Sequence, residues 1–241
     1  RVLFRSMVFT GNPGTAKTTV ARLFAQIMKE NGLLSVGDLI EVGRADLVGK
    51  YVGWTAPTVK KKFEAAKGSV LFIDEAYSLV DDTDGLYGDE AINTIVQEME
   101  NHRDDTVVIF AGYPDKMEQF LKKTPGLRSR IAFHVPFEDY KPAELLDIFT
   151  LMAKQQKLEL APLVRERLLP IFSLAVKQPD FGNGRFVRNL LEKSRMKQAS
   201  RLVRLDPDTV TMEMVSTLLP EDIDAPQLPQ KEERRVLGFC A

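Results

Sequence analysis

The stretch Gly11-Asn12-Pro13-Gly14-Thr15-Ala16-Lys17-Thr18 follows the apolar run Met7-Val8-Phe9 and precedes Val20, Leu23, Phe24, Ile27 and Met28, which recur at helical spacing. Strand, glycine loop and helix in that order make a phosphate cradle. Backbone N–H groups of the loop and of the first helical turn converge on an anion, and the helix dipole adds partial positive charge. Lys17 then reaches the β- and γ-phosphates of ATP and the Thr18 hydroxyl ligates Mg²⁺, while Asn12, Pro13, Gly14, Thr15, Ala16 and Thr19 complete the nucleotide-binding loop. Ala16 stands where a glycine usually precedes the lysine. Its Cβ opposes any dihedral open only to glycine, but both reactive groups remain and ATP binding is expected to survive.

Downstream, Val70-Leu71-Phe72-Ile73-Asp74-Glu75 is an apolar strand that ends in two carboxylates. At the carboxyl end of a parallel strand Asp74 can join the Mg²⁺ shell and Glu75 can orient and polarise the attacking water. Phosphoryl transfer asks chiefly for positioning and charge neutralisation, which Lys17, Mg²⁺ and one such carboxylate supply. Alone, the acid pair would read as solvated caps on a strand; the phosphate loop upstream gives it a purpose.

The elements that must hold these groups alternate. Apolar runs at Asp38–Val42, Val70–Ile73, Thr106–Ala111 and Ile131–Val135 are separated by helical patterns at Thr58–Lys67 and at Ile92, Ile95, Val96 and Met99. Nearly continuous apolar strands between helices predict a parallel sheet covered on both faces. We expect an α/β nucleotide-binding domain over residues 1–137, a small all-helical domain over 138–219 and a linker and tail over 220–241.

Across 241 residues, 44% are hydrophobic and 28% charged, enough to bury a core. Thirty-three Lys and Arg against 34 Asp and Glu give a net charge of -1, so no global field favours nucleic acid or an anionic membrane. The lone Cys240 excludes an internal disulfide framework and fits a reducing compartment, and the chain reads as cytoplasmic. Lys60-Lys61-Lys62 fans around a helix and reads as solvated surface, and His102 and His134 have no ligand companions. Because the sequence begins with Arg1 rather than Met, we read it as an excerpt of a longer polypeptide.

The phosphate loop, Asp74-Glu75-Ala76-Tyr77 and the trailing helical region together resemble the AAA+ ATPases over about Met7 to Leu219. Leu47-Val48-Gly49-Lys50-Tyr51-Val52-Gly53, Phe72-Ile73-Asp74-Glu75-Ala76-Tyr77 and Met99-Glu100-Asn101-His102-Arg103-Asp104-Asp105 resemble the CbbX/CfxQ group, which includes the red-type rubisco activase and the stage V sporulation protein K. The resemblance implies a P-loop sheet followed by a helical lid, and a homohexamer that hydrolyses ATP to remodel a protein client, with red-type rubisco among the clients. It implies that Tyr51, Val52 and Gly53 form a pore loop that grips the client; the bland alternative packs Tyr51 over a turn beside Trp54. Arg130, or else Arg128, matches the arginine finger supplied in trans, and Arg185, or else Arg188, matches the lid arginine that senses nucleotide. Tyr113 occupies the end of the fourth strand, where the family's polar sensor is not obvious. The family also has a helix and loop before the first strand, where this chain has only Arg1 to Ser6. A nucleic-acid motor on the same fold and a nucleotide-gated scaffold without turnover are the rival functions.

Overall fold

The computed structural model describes residues 6–49, 51, 53–80, 86–179 and 181–225. Of the linker and tail expected over 220–241, residues 220–225 are among them and the rest lie outside. The chain divides into two compact units, residues 1–139 and 140–241.

The first unit runs β1 (Ser6–Gly11), α1 (Lys17–Glu30), β2 (Leu39–Val42), α2 (Arg44–Leu47), α3 (Thr55–Ala65), β3 (Val70–Ile73), a 3-10 turn at Ala76–Val80, α4 (Leu86–Asn101), β4 (Val107–Gly112), α5 (Pro114–Lys123), α6 (Pro125–Arg128) and β5 (Phe133–Phe137). The five strands are parallel in the order β2-β3-β4-β1-β5. β3 and β4 are buried along their whole length. Successive residues alternate between faces. Met7, Phe9, Val70, Phe72, Val107 and Ile109 pack with Ala21, Ala25 and Met28 of α1, whereas Val8, Leu71, Ile73, Val108 and Phe110 pack with Phe63 of α3, Ile95 of α4 and Phe120 of α5.

Two sequence expectations shift. The fifth strand begins two residues later than Ile131, and it is a half-exposed edge rather than a strand covered on both faces. Pro136 fits there because a strand paired on one side can lack an outward N–H. In α1 the apolar spacing marks the helix, but only Met28 and the half-buried Phe24 of its five residues reach the core. Alanines 21 and 25 face the sheet, while Val20, Leu23 and Ile27 lie exposed as a stripe along the outer side. Small residues let the helix axis approach the strands closely, and three of the bulky ones are left outward.

The second unit contains α7 (Pro142–Gln155), β6 (Glu159–Leu160), α8 (Val164–Ala175), α9 (Asn183–Leu202), α10 (Met212–Ser216) and β7 (Thr217–Leu218). Phe149, Leu168, Phe172, Val187, Leu191 and Ile223 lie in its core. To the helices the structure adds a two-residue parallel ladder, Glu159 with Thr217 and Leu160 with Leu218, too short for sequence periodicity to reveal. Gln198 on α9 holds β7 by donating to the carbonyls of Val215 and Thr217 at 3.0 and 2.9 Å. Arg201 grips the buried Asp222 through two hydrogen bonds of 3.0 and 2.9 Å. Among the described residues no helix is long and apolar enough to cross a membrane.

Arg201→Met strands the Asp222 carboxylate in the core, with the Leu219 N–H still donating to it. It should cost about 3 kcal/mol, whereas Asp222→Asn, which leaves a partly exposed arginine beside Glu221, should cost about 1–2 kcal/mol. Urea denaturation of the two variants checks both the sign and the order.

Candidate functional site

Parallel pairing sends the carboxyl ends of β1, β3 and β4 to one edge of the sheet. Ile73 is level with Phe110, which is level with Val8, so the continuations of β3 and β1 flank β4 and stand about 10 Å apart at ordinary strand spacing. The glycine loop leaves β1 at this edge, Asp74 and Glu75 leave β3, and Tyr113 leaves β4.

Within the loop, Gly14 and Ala16 both adopt left-handed backbone, with φ of 75° and 66°. Such bends curl successive N–H groups into an anion-binding concavity. Thr15 is buried and its hydroxyl donates to the Asn12 carbonyl at 2.8 Å, which braces the bend. The Asn12 side chain donates to both oxygens of Asp139 at 3.0 and 2.9 Å, so this residue faces the loop with its backbone. Helix α1 begins at Lys17 with no capping side chain and no acidic residue in its first turn, so the positive end of its dipole meets no carboxylate there. Lys17 lays its ammonium across the loop, donating to the carbonyls of Gly11 and Asn12 at 2.8 and 2.9 Å. Pro13 and Thr18 are half-buried and Thr19 is exposed beside them. A cation, a dipole and a curled backbone around one space fit a polyphosphate.

The turn after β3 sets the two acids differently. Asp74 is half-buried, and its Oδ1 accepts the Glu75 N–H at 3.0 Å. Glu75 is exposed and has a φ of 49°, a left-handed conformation that costs a non-glycine residue about 1–2 kcal/mol and is held here by the turn. The Glu75 carbonyl accepts from Ser78 at 2.8 Å. The motif quoted Tyr77 but assigned it nothing. Its ring is buried two residues beyond Glu75. Burial first, and then the negative charge of Glu75, pushes the phenol up to about 12, so it stays protonated.

With this geometry in view, comparison with known proteins decides the family. Residues 7–138 match the "ATPase family associated with various cellular activities (AAA)" and residues 141–233 match an "AAA lid domain". The chain is an AAA ATPase. It is 47% identical over 90% of its length to the chloroplastic ribulose bisphosphate carboxylase/oxygenase activase of Cyanidioschyzon merolae, covering 74% of that protein. It is 46% identical over 91% of its length to protein CbbX of Cereibacter sphaeroides, covering 71% of that chain, which places it in the CbbX/CfxQ group. The FIGL-1 AAA domain in complex with ADP shares the fold at a TM-score of 0.63 and 18% identity, over 91% of this chain and 69% of that one. ATP binding and hydrolysis follow from the family.

The remaining candidates of this AAA ATPase are not all gathered at the sheet edge. Tyr51 is 64% exposed, and Trp54, which begins α3, is 58% exposed; their rings meet edge to face at 5.1 Å. Tyr51 therefore does pair with Trp54 across a turn, closed by the Trp54 N–H donating to the Tyr51 carbonyl at 3.2 Å, and both rings stand in solvent. Trp54 is the residue that the sequence reading treated only as a neighbour, and the signal was that it is the single tryptophan of the chain. Gly53 follows with a φ of 80° and open space around it; Val52 lies outside the described residues. Arg128 ends α6 and Arg130 curls back to donate to the Gly126 carbonyl at 2.8 Å, both exposed. In the second unit Arg185 is exposed in the first turn of α9, where the helix dipole disfavours a cation and no acidic residue offsets it. Lys62, in the lysine run, pairs with Asp46 at 3.0 Å, as a surface residue does.

Ala16 already adopts the backbone that glycine would. The alanine then weighs on fold stability rather than on nucleotide affinity, because the direction of the loop N–H groups is set. Ala16→Gly should raise the unfolding free energy by about 0.5–1 kcal/mol, the relief of left-handed strain less the gain in unfolded-chain entropy. Titration calorimetry should find ATP affinity unchanged within about threefold, roughly 0.7 kcal/mol.

Proposed function

We propose that this AAA ATPase couples ATP hydrolysis to remodelling of a protein client as a homohexameric ring that grips the client through Tyr51, Val52 and Gly53. The observation that carries the reading is that one unit holds both a phosphate-binding edge with an exposed Glu75 and an aromatic pair standing in solvent. An exposed aromatic is suited to sequence-tolerant grip, since it offers much apolar area for few rotatable bonds. The outward stripe of Val20, Leu23 and Ile27 on α1 suits contact between copies, because large apolar side chains aligned on one helix face mark interaction surfaces.

In this reading Lys17 neutralises the β- and γ-phosphates and Glu75 takes up the attacking water. Arg130 of a neighbouring copy, with Arg128 in reserve, meets the charge that develops on the γ-phosphate, and Arg185 brings the nucleotide's state to the lid. Thr18 and Asp74 would hold Mg²⁺, which when bound shields phosphate charge. The relative named as a rubisco activase makes red-type rubisco the first client to try, and a lone cysteine fits the cytoplasm.

Glu75→Gln should lower steady-state phosphate release at least about 100-fold, the lower end of what a positioned base contributes, while ATP remains bound. A wild-type chain that binds ATP yet releases no phosphate would instead favour a scaffold. Tyr51→Ala should abolish the stimulation of turnover by purified red-type rubisco, read as the ratio of rates with and without it; equal ratios in both proteins would remove the pore-loop role. Leu23→Glu should shift the ATP-dependent assembly toward monomer in sedimentation velocity without altering the circular dichroism.

A further inference from the structure

Asp139 lies two residues beyond β5, and the pairing of β5 with β1 brings it to the phosphate loop. Gly11, which ends β1, is level with Phe137, so close that a Cβ on the glycine would come 2.5 Å from the Phe137 carbonyl oxygen. The rings of Phe9 and Phe137 pack with centroids 4.9 Å apart, which fixes the end of β5 against its neighbour. One residue past Gly11, the Asn12 amide donates to both carboxylate oxygens of Asp139 at 3.0 and 2.9 Å. The Asn12 carbonyl is engaged inside the loop, accepting from the Thr15 hydroxyl at 2.8 Å and the Lys17 ammonium at 2.9 Å.

An asparagine followed by proline and glycine has a local alternative. Asn side chains accept from the backbone N–H two residues on, and Asn-Pro opens turns of this kind. Here that N–H belongs to Gly14, whose φ of 75° helps curl the loop donors toward an anion. An amide oxygen on it would compete with phosphate. We infer that Asp139 is a positioning residue for nucleotide binding, holding the Asn12 amide off the loop so that the Gly14 N–H stays open to phosphate. Its charge alone would act in the opposite direction, because a carboxylate beside a phosphate loop repels the ligand. The two effects therefore differ in sign. The role rests on residues 11–18 being the nucleotide cradle, which Lys17→Ala tests separately.

The probe is ADP with excess Mg²⁺, titrated into the full chain by calorimetry. Asp139→Ala should raise Kd about tenfold, the weight of one hydrogen bond to a charged group, with thermal unfolding of the nucleotide-free protein unchanged. Asp139→Asn, whose amide oxygen still accepts from Asn12, should stay within about threefold of the wild type. In an Asn12→Ala background, Asp139→Ala should weaken binding no further, because the two residues act as one unit. If Lys17→Ala leaves ADP affinity intact, the cradle reading fails first and the positioning role with it. Should Lys17→Ala weaken binding while Asp139→Ala leaves it unchanged or tightens it, the role of Asp139 alone is overturned. The same follows if Asp139→Asn loses as much as Asp139→Ala, or if the loss persists in the Asn12→Ala background. Asp139→Ser, polar but too short to reach Asn12, is the second variant: it should weaken binding as Asp139→Ala does, and a normal affinity would count against the inference even if Asp139→Ala failed to fold.

Discussion

Parallel alignment of β1, β3 and β4 is the constraint from which the site follows. Strands that run the same way must all end at one edge, and there the phosphate loop and the acid pair leave the sheet on either side of β4. The two helix layers exist to permit this, because a parallel sheet with both faces apolar needs cover on both. Alternation along β3 and β4 divides that cover between α1 on one side and α3, α4 and α5 on the other. The chemistry sits on the turns, and the burial beneath them makes those turns stiff.

Among the described residues of the first unit, both non-glycine residues with positive φ lie at this edge. Gly14, Ala16 and Glu75 all carry positive φ, two in the loop that cradles phosphate and one at the acid. Glycine takes that conformation freely; alanine and glutamate do so because burial of the adjoining strands and the hydrogen bonds of each turn leave no alternative. The turn that strains Glu75 is followed directly by Tyr77, whose ring packs against Gly112 at the end of a different strand.

Much of this was legible beforehand, for identifiable reasons. The loop and the acid pair announce themselves because their residue types are fixed by chemistry, and β3 and β4 because strands buried on both faces have no room for polar residues. Where a face is only half covered, the pattern fails. β5 carries Pro136 and little buried surface, so its register could not be read from hydropathy, and α1 turns its alanines inward, against the spacing of its larger side chains. The short β6–β7 ladder and the grip of Arg201 on Asp222 depend on residues brought together from distant positions. The packing of Tyr77 was invisible for another reason: its partner on β4 is recognisable only by the absence of a side chain at Gly112.

The exposed pair of Tyr51 and Trp54 gives the molecule an optical reporter of its own. With one tryptophan in the sequence, all indole emission originates beside the loop, a ring's width from Tyr51. Anything apolar that settles over that loop dries the indole and moves its emission toward the blue, so engagement can be followed in real time in an unlabelled protein.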